Sequence, residues 1–159
     1  MFQSITYNGT KEQNYSLVLK QLKALIDGEP NVIANLSNAS ALLNEFLDDV
    51  NWVGFYMMED GELVLGPFQG LPACLRITPG KGVCGTAVSE QKTQRVEDVN
   101  AFPGHIACDA ASQSEIVVPI MKDDKVFGVL DIDSPSTDRF DETDEKYLNE
   151  FVSILEQYI

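Results

Sequence analysis

The residues best suited to chemistry are gathered in one stretch, Gly104-His105-Ile106-Ala107-Cys108-Asp109-Ala110-Ala111-Ser112-Gln113-Ser114-Glu115, which holds a thiol, an imidazole and two carboxylates. It has no helical or strand period and reads as a functional loop. The β-branched run Ile116-Val117-Val118-Pro119-Ile120 follows at once, so a rigid strand anchors the loop at Glu115. Two further thiols, Cys74 and Cys84, lie near turns or element ends beside Gly, Ala or Pro, where a thiol is more accessible than at a strand centre. Three cysteines, an odd number, argue against a structural disulfide framework. They leave buried apolar filler, metal ligation or redox chemistry. A zinc site could draw on His105, Cys108 and the other two thiols, but no Cys-x-x-Cys spacing supports it. His105, the only histidine, is either a base for Cys108 or a satisfied histidine that holds the loop backbone, and we favour the structural role.

Three acids form the sharper signal. Asp131 and Asp133 are two apart and share a strand face, while Glu115 opens the strand expected beside theirs. The ordinary alternative is a solvated sheet edge. Leu130 and Ile132 alternate with the acids and would pin that strand to the core, which favours a functional cluster. Clustered carboxylates can bind an ammonium, and their repulsion can keep one protonated as an acid. Trp52 and Tyr56, with Gly54 between them, could wall an apolar pocket against a sulfur or methyl group, although ordinary core packing is commoner. Gly80-Lys81-Gly82 looks superficially like a phosphate cradle but lacks the spacing and the following Ser or Thr, which discounts nucleotide binding.

Helices and strands must position these groups. From Tyr15, the residues Val18, Leu19, Leu22, Leu25 and Ile26 mark a first helix that stops at Asp27-Gly28. Pro30 suits the first turn of a second, carrying Val32, Ile33, Leu36, Leu43, Phe46 and Leu47. Residues 51–58 alternate as a strand, with Val53, Phe55 and Met57 opposite Trp52, Gly54 and Tyr56. An Asp60-Gly61 hairpin leads to Leu63-Val64-Leu65, and a third strand around 73–77 follows Gly-Pro and Gln-Gly turns. A short helix over 83–88, a brief strand at Arg95-Val96, and strands over 116–121 and 125–133 about an Asp123-Asp124 turn come next. A last helix capped by Asp141 buries Tyr147, Leu148, Phe151, Ile154, Leu155 and Tyr158. The pattern is an antiparallel sheet bracketed by helices.

The 159 residues suit one core, expected as a single domain over 1–159. Acidic residues number 25 against 11 basic, a formal charge of -14 that repels nucleic acid and anionic membrane. No apolar run reaches the roughly 20 residues of a membrane span, and the first residues form no signal core, so a cytoplasmic protein is expected.

Five motifs in order, 66–70 (Gly-Pro-Phe-Gln-Gly), 82–87 (Gly-Val-Cys-Gly-Thr-Ala), 102–109, 114–116 (Ser-Glu-Ile) and 128–134 (Gly-Val-Leu-Asp-Ile-Asp-Ser), resemble the free methionine-(R)-sulfoxide reductases. The resemblance covers nearly the whole chain from the first helix. It implies an α+β GAF fold, with a central antiparallel six-stranded sheet flanked by helices, and a homodimer. It also implies reduction of the free amino acid, recycled by thioredoxin with no bound cofactor or metal. Carried over by position, Cys108 is the catalytic thiol, Cys74 its main resolving partner and Cys84 a further redox cysteine. Trp52, Tyr56, Glu115, Asp131 and Asp133 are the substrate pocket. The competing expectation is a GAF sensor that binds a small ligand in the same pocket without turnover.

Overall fold

The computed structural model describes residues 2–106 and 108–159; Met1 and Ala107, the latter inside the central loop, lie outside the described residues. The elements run α1 (Lys11–Ile26), α2 (Val32–Phe46), β1 (Trp52–Glu59), β2 (Glu62–Gly70), β3 (Arg76–Ile77), α3 (Gly82–Glu90) and β4 (Gln94–Val96). A short 3-10 turn at Val99–Ala101, β5 (Ser114–Lys122), β6 (Lys125–Ser134) and α4 (Glu142–Glu156) complete the chain. The six strands form one antiparallel sheet in the order β3-β2-β1-β6-β5-β4, the α+β architecture of a GAF domain.

Side chains that alternate along the strands build two cores. On one face Val53, Phe55, Ile116, Val118, Leu130 and Ile132 pack under α1, α2 and α4. On the other, Trp52, Tyr56, Val117 and Val129 meet Val83, Cys84 and Ala87 of α3. The hairpins that hold this register have left-handed turn pairs, Asp60 with Gly61 and Asp123 with Asp124, the backbone that matches strand twist. Asp141 caps α4 through a reciprocal box with Asp144, as its position suggested.

Several sequence expectations shift. α1 begins at Lys11 because Thr10 and Gln13 form a capping box upstream of the first apolar residue of the stripe. Asn31 caps α2, which leaves Pro30 just outside the helix, and Ile33 points to solvent. Gly66-Pro67 does not turn the chain. The register steps from Gly54 opposite Phe68 to Tyr56 opposite Leu65, so the pair is a bulge within a continuous β2. The strand expected over 73–77 shrinks to Arg76–Ile77, because Cys74 is tied elsewhere by its side chain and carbonyl. The acid-bearing strand is no sheet edge either. β6 pairs with β1 on one side and β5 on the other, at the centre of the sheet.

Candidate functional site

β1 contributes an aromatic wall. Trp52 and Tyr56 project from the same face with ring centroids 5.8 Å apart and planes 24° from parallel. Phe68 of β2 stacks on Trp52 at 5.1 Å. Gly54 permits this approach, since a Cβ there would lie 2.8 Å from the Phe68 Cα and 2.8 Å from the indole edge. The polar tips of the wall fasten the next segment. Trp52 Nε1 donates to the Leu71 carbonyl at 3.1 Å, and the Tyr56 hydroxyl donates to the Cys74 carbonyl at 2.9 Å.

That segment is joined covalently to the central loop. Cys74 and Cys108 form a disulfide with their Cα atoms 5.4 Å apart. The loop is also tied to the end of the sheet. Gln113 N donates to Ser134 O at 2.7 Å, and Asn51 Nδ2 donates to Asp109 Oδ2 at 3.0 Å and to Ser112 Oγ at 3.2 Å. A pocket opens beside the disulfide, floored by Glu115, Asp131 and Asp133, walled by Trp52 and Tyr56, and bounded by Lys81, Cys84, His105 and Asp109.

The acids meet because register puts them side by side. Glu115 pairs with Asp133 across β5 and β6, while Asp131 lies opposite Gly54 of β1. Glu115 and Asp131 are each only 6% exposed. Burial, and then the neighbouring charge of Asp131, pushes Glu115 and Asp133 well above the ordinary carboxylate range. Asp131 is also raised by burial, but hydrogen bonds from Glu115, Cys84 and Asp133 oppose the rise. Among the described residues, one oxygen each of Asp131 and Asp133 is buried without a hydrogen-bond partner. Such a cluster is complete only with protons or a cation in it. Burial, and then the charge of Asp131, likewise raises the Tyr56 phenol, which stays a neutral donor.

Cys84 departs from its expectation of accessibility. It sits in the first turn of α3, 4% exposed, with its sulfur 3.9 Å from Glu115 Oε2. Burial and the adjacent acids push its thiol well up, opposite to what a reactive thiolate needs. The cysteine-histidine zinc set that the sequence only weakly offered is not assembled, because Cys74 and Cys108 are bonded to each other. A different trio, Cys84, Glu115 and Asp131, has ligand atoms within 4.8 Å of one another. His105 does not behave as a satisfied structural histidine. Its backbone N–H bonds to Phe102 O, but its Nδ1 is buried with no partner among the described residues, and the side chain lines the pocket.

The sequence reading passed over Lys81, Asn51, Asp109 and Ser112 as site residues. Lys81 stood inside a glycine motif weighed only for phosphate. Asp109 and Ser112 lay inside the loop singled out for chemistry but were given no role there, and Asn51, just before β1, carries no local signal, since only folding brings 51 against 109–112.

The GAF-domain family matches residues 36–159. The free methionine-R-sulfoxide reductase of Escherichia coli is 52% identical over 94% of this chain and 90% of that protein. Among solved structures, the Staphylococcus aureus fRMsr in complex with substrate is 60% identical, with a TM-score of 0.88 over 97% of this chain and 99% of that one. The Neisseria meningitidis free methionine-R-sulfoxide reductase in complex with its substrate is 45% identical, with a TM-score of 0.95 over 99% and 95% of the two chains.

Proposed function

The chain belongs to the free methionine-R-sulfoxide reductases, oxidoreductases built on a GAF domain, and on that premise we propose that it reduces free L-methionine (R)-sulfoxide through Cys108 and is recycled by thioredoxin. The single observation that carries the mechanism is the Cys74–Cys108 bond beside a pocket floored by three buried acids.

In the reduced protein the Cys108 sulfur attacks the sulfoxide sulfur. A carboxylic acid of the Glu115, Asp131 and Asp133 group protonates the oxygen, which is transferred to Cys108 as the sulfur–oxygen bond to methionine breaks. Methionine leaves and Cys108 becomes a sulfenic acid. The Cys74 thiol then displaces water from that sulfenic acid to form the disulfide. A thioredoxin dithiol reduces the disulfide by exchange and is itself oxidised. Electrons thus come from an external dithiol, and the chain's residues supply the nucleophile, the proton and the pocket. Burial, and then mutual repulsion, favours the protonated form of one acid while another carboxylate faces the substrate ammonium. The substrate methyl lies against Trp52 and Tyr56, which leaves the oxygen of the R epimer toward the acids. We place Cys84 outside the thiol relay, since its sulfur is buried against Glu115 while the other two are already paired. In keeping with its family we take the protein to work as a cytoplasmic homodimer.

The test is a single turnover. Fully reduced protein mixed with free methionine-(R)-sulfoxide, without reductant, is expected to release one methionine per chain and lose two thiols, with peptide mapping locating them at Cys74 and Cys108. A GAF sensor that binds without turnover would lose no thiols and release no methionine, and that result would overturn the proposal.

A further inference from the structure

We propose that Leu71, Leu75 and Ile106 form the docking surface for the dithiol protein that reduces the Cys74–Cys108 bond, and that its thiolate attacks the Cys74 sulfur. The inference rests on the recycling by thioredoxin proposed above and extends it to where that partner lands and which sulfur it meets.

Among the described residues the two most exposed large hydrophobic side chains are Leu75, 72% exposed, and Leu71, 64% exposed, on either side of Cys74. Ile106, 38% exposed, stands just before the other cysteine, and the disulfide draws the two segments together with Cα atoms 5.4 Å apart. A single exposed leucine needs no explanation, but three exposed apolar side chains around one disulfide mark a contact site. They are firmly held. The Leu71 carbonyl accepts from Trp52 Nε1, the Cys74 carbonyl from the Tyr56 hydroxyl and the Leu75 carbonyl from the Leu65 N–H at 3.0 Å, so the backbone of 71–75 is fastened to β1 and β2. Ile106 is packed on the first turn of α3, 3.2 Å from where a Gly82 Cβ would stand. An apolar rim ordered in advance loses little freedom when a partner settles on it.

The bond at the centre of the rim sets the occupant. Exchange requires a foreign thiolate to touch one of the two sulfurs, so a protein that reduces this bond must cover the side chains around it. Cys108 lines the acid pocket, whereas Cys74 stands between the exposed leucines. The incoming thiolate bonds to the Cys74 sulfur, the Cys74–Cys108 bond breaks, and its electron pair leaves on Cys108, which takes a proton from water. The partner's second thiol then displaces Cys74 as a thiol, and the partner departs as a disulfide. Cys108 is thereby returned reduced to the pocket. Charge fits the same landing site. At -14 the chain repels an acidic partner over most of its surface, yet from Leu63 to Ser89 the sequence holds no acid, and its charged residues there are Arg76 and Lys81. Asp109, next to Cys108, is turned to Asn51 Nδ2 and the Ala111 N–H. Transient redox encounters bury less than about 1,200 Å², which a rim of a few side chains can anchor.

The oxidised protein should be reduced by thioredoxin and, separately, by dithiothreitol, with loss of the disulfide followed in time. Leu71→Ser/Leu75→Ser should slow reduction by thioredoxin about tenfold or more, the loss expected when apolar anchors are truncated. Dithiothreitol should reduce variant and wild type at the same rate, the reduced variant should still release one methionine per chain, and Leu71→Met/Leu75→Met should keep the wild-type rate with thioredoxin. Thioredoxin lacking its second thiol should be trapped on Cys74, as read by peptide mapping of the mixed disulfide. Equal thioredoxin rates for the serine variant and wild type overturn the docking surface, and so does a variant slowed equally with dithiothreitol, whose disulfide would itself be altered. A trapped bond at Cys108 overturns the direction of attack. If the serine variant turns a wild-type dimer into a monomer, the leucines belong to a contact between copies of this chain and the proposal falls. Failure of the underlying function looks different: reduced wild-type protein mixed with the sulfoxide would release no methionine and form no disulfide.

Discussion

Replacing Glu115 with Gln tests the buried acid cluster on two independent axes. Glu115 is 6% exposed, opposite Asp133 and beside Asp131, and burial followed by the charge of Asp131 holds its carboxyl well above the ordinary value of 4.5. The sign follows from proton binding. Between the unfolded value and the higher folded value, the native state binds more protons than the unfolded chain, so stability falls as pH rises through that window. A native state that keeps Glu115 protonated at pH 7 carries a cost of at most about 3 kcal/mol, from 1.36 kcal/mol per unit above 4.5. Glutamine fills the same space, still donates to Asp131, and has no such cost. Glu115→Gln should therefore raise the stability of the ligand-free reduced protein at pH 7 by about 1–3 kcal/mol, a rise in Tm of roughly 2–4 °C per kcal/mol. The gain should vanish near pH 4, where the unfolded carboxyl is protonated as well. Turnover should fall about 100-fold or more, the contribution expected of a positioned acid. Thermal melts across pH 4–8, paired with methionine-release assays, measure both. A variant less stable than wild type at pH 7, or one equally stabilised at pH 4, would refute the account of the cluster.

The thiol roles separate by substitution. Cys108→Ser should release no methionine, while Cys74→Ser should release one per chain and then recycle slowly with thioredoxin; full-rate cycling of Cys74→Ser would remove it as the resolving thiol. The hub at Asp144 is structural. It is fully buried and receives bonds from the Tyr15 hydroxyl, from Lys11 Nζ at 2.8 Å and from Arg139 Nη1 at 3.5 Å, joining α1, α4 and the chain before α4. Asp144→Ala strips four donors, these three and the Asp141 N–H of the capping box, of their shared acceptor and should cost about 3–5 kcal/mol in a denaturant melt, with turnover intact below the new Tm.

What was legible in the sequence followed the periodicities that burial imposes. Val53, Phe55 and Met57 alternate against Trp52, Gly54 and Tyr56 because the two faces of β1 meet different cores, and that division is what the structure contains. Asp141 and Asp144 announced α4 because a capping box is a local device. Legibility failed where the cause was distant. Gly66-Pro67 has the composition of a turn, yet the bulge opposite Phe55 absorbs it, a fact set by β1 and not by its own neighbours. Cys84 has small residues about it, which suggested access. In the fold those small residues let α3 pack closely, with the Thr78 carbonyl 2.5 Å from where a Gly85 Cβ would be. The acids were found as a set, but their setting at the sheet centre depends on strand order, which no local pattern encodes.

The central position of β6 explains how such an acid cluster is tolerated and kept rigid. Hydrogen bonded to β1 on one side and β5 on the other, the strand holds Asp131 and Asp133 about 7 Å apart along one face, with no freedom to splay away from each other or from Glu115. The residues between and beside them, Leu130 and Ile132, turn to the opposite face, where both are fully buried, as is Phe55 across the pair with β1. Burying three such side chains contributes about 5–9 kcal/mol on the face opposite the acids. The same strand residues therefore hold repelling carboxyls in place on one face through hydrophobic burial on the other. A surface loop bearing the same three acids would relax apart, and burial would no longer lift any of them to a proton-holding state. Asp131 and Asp133 on this central strand, and Glu115 on the neighbouring β5, are thus held together where burial raises all three carboxyls above their ordinary range.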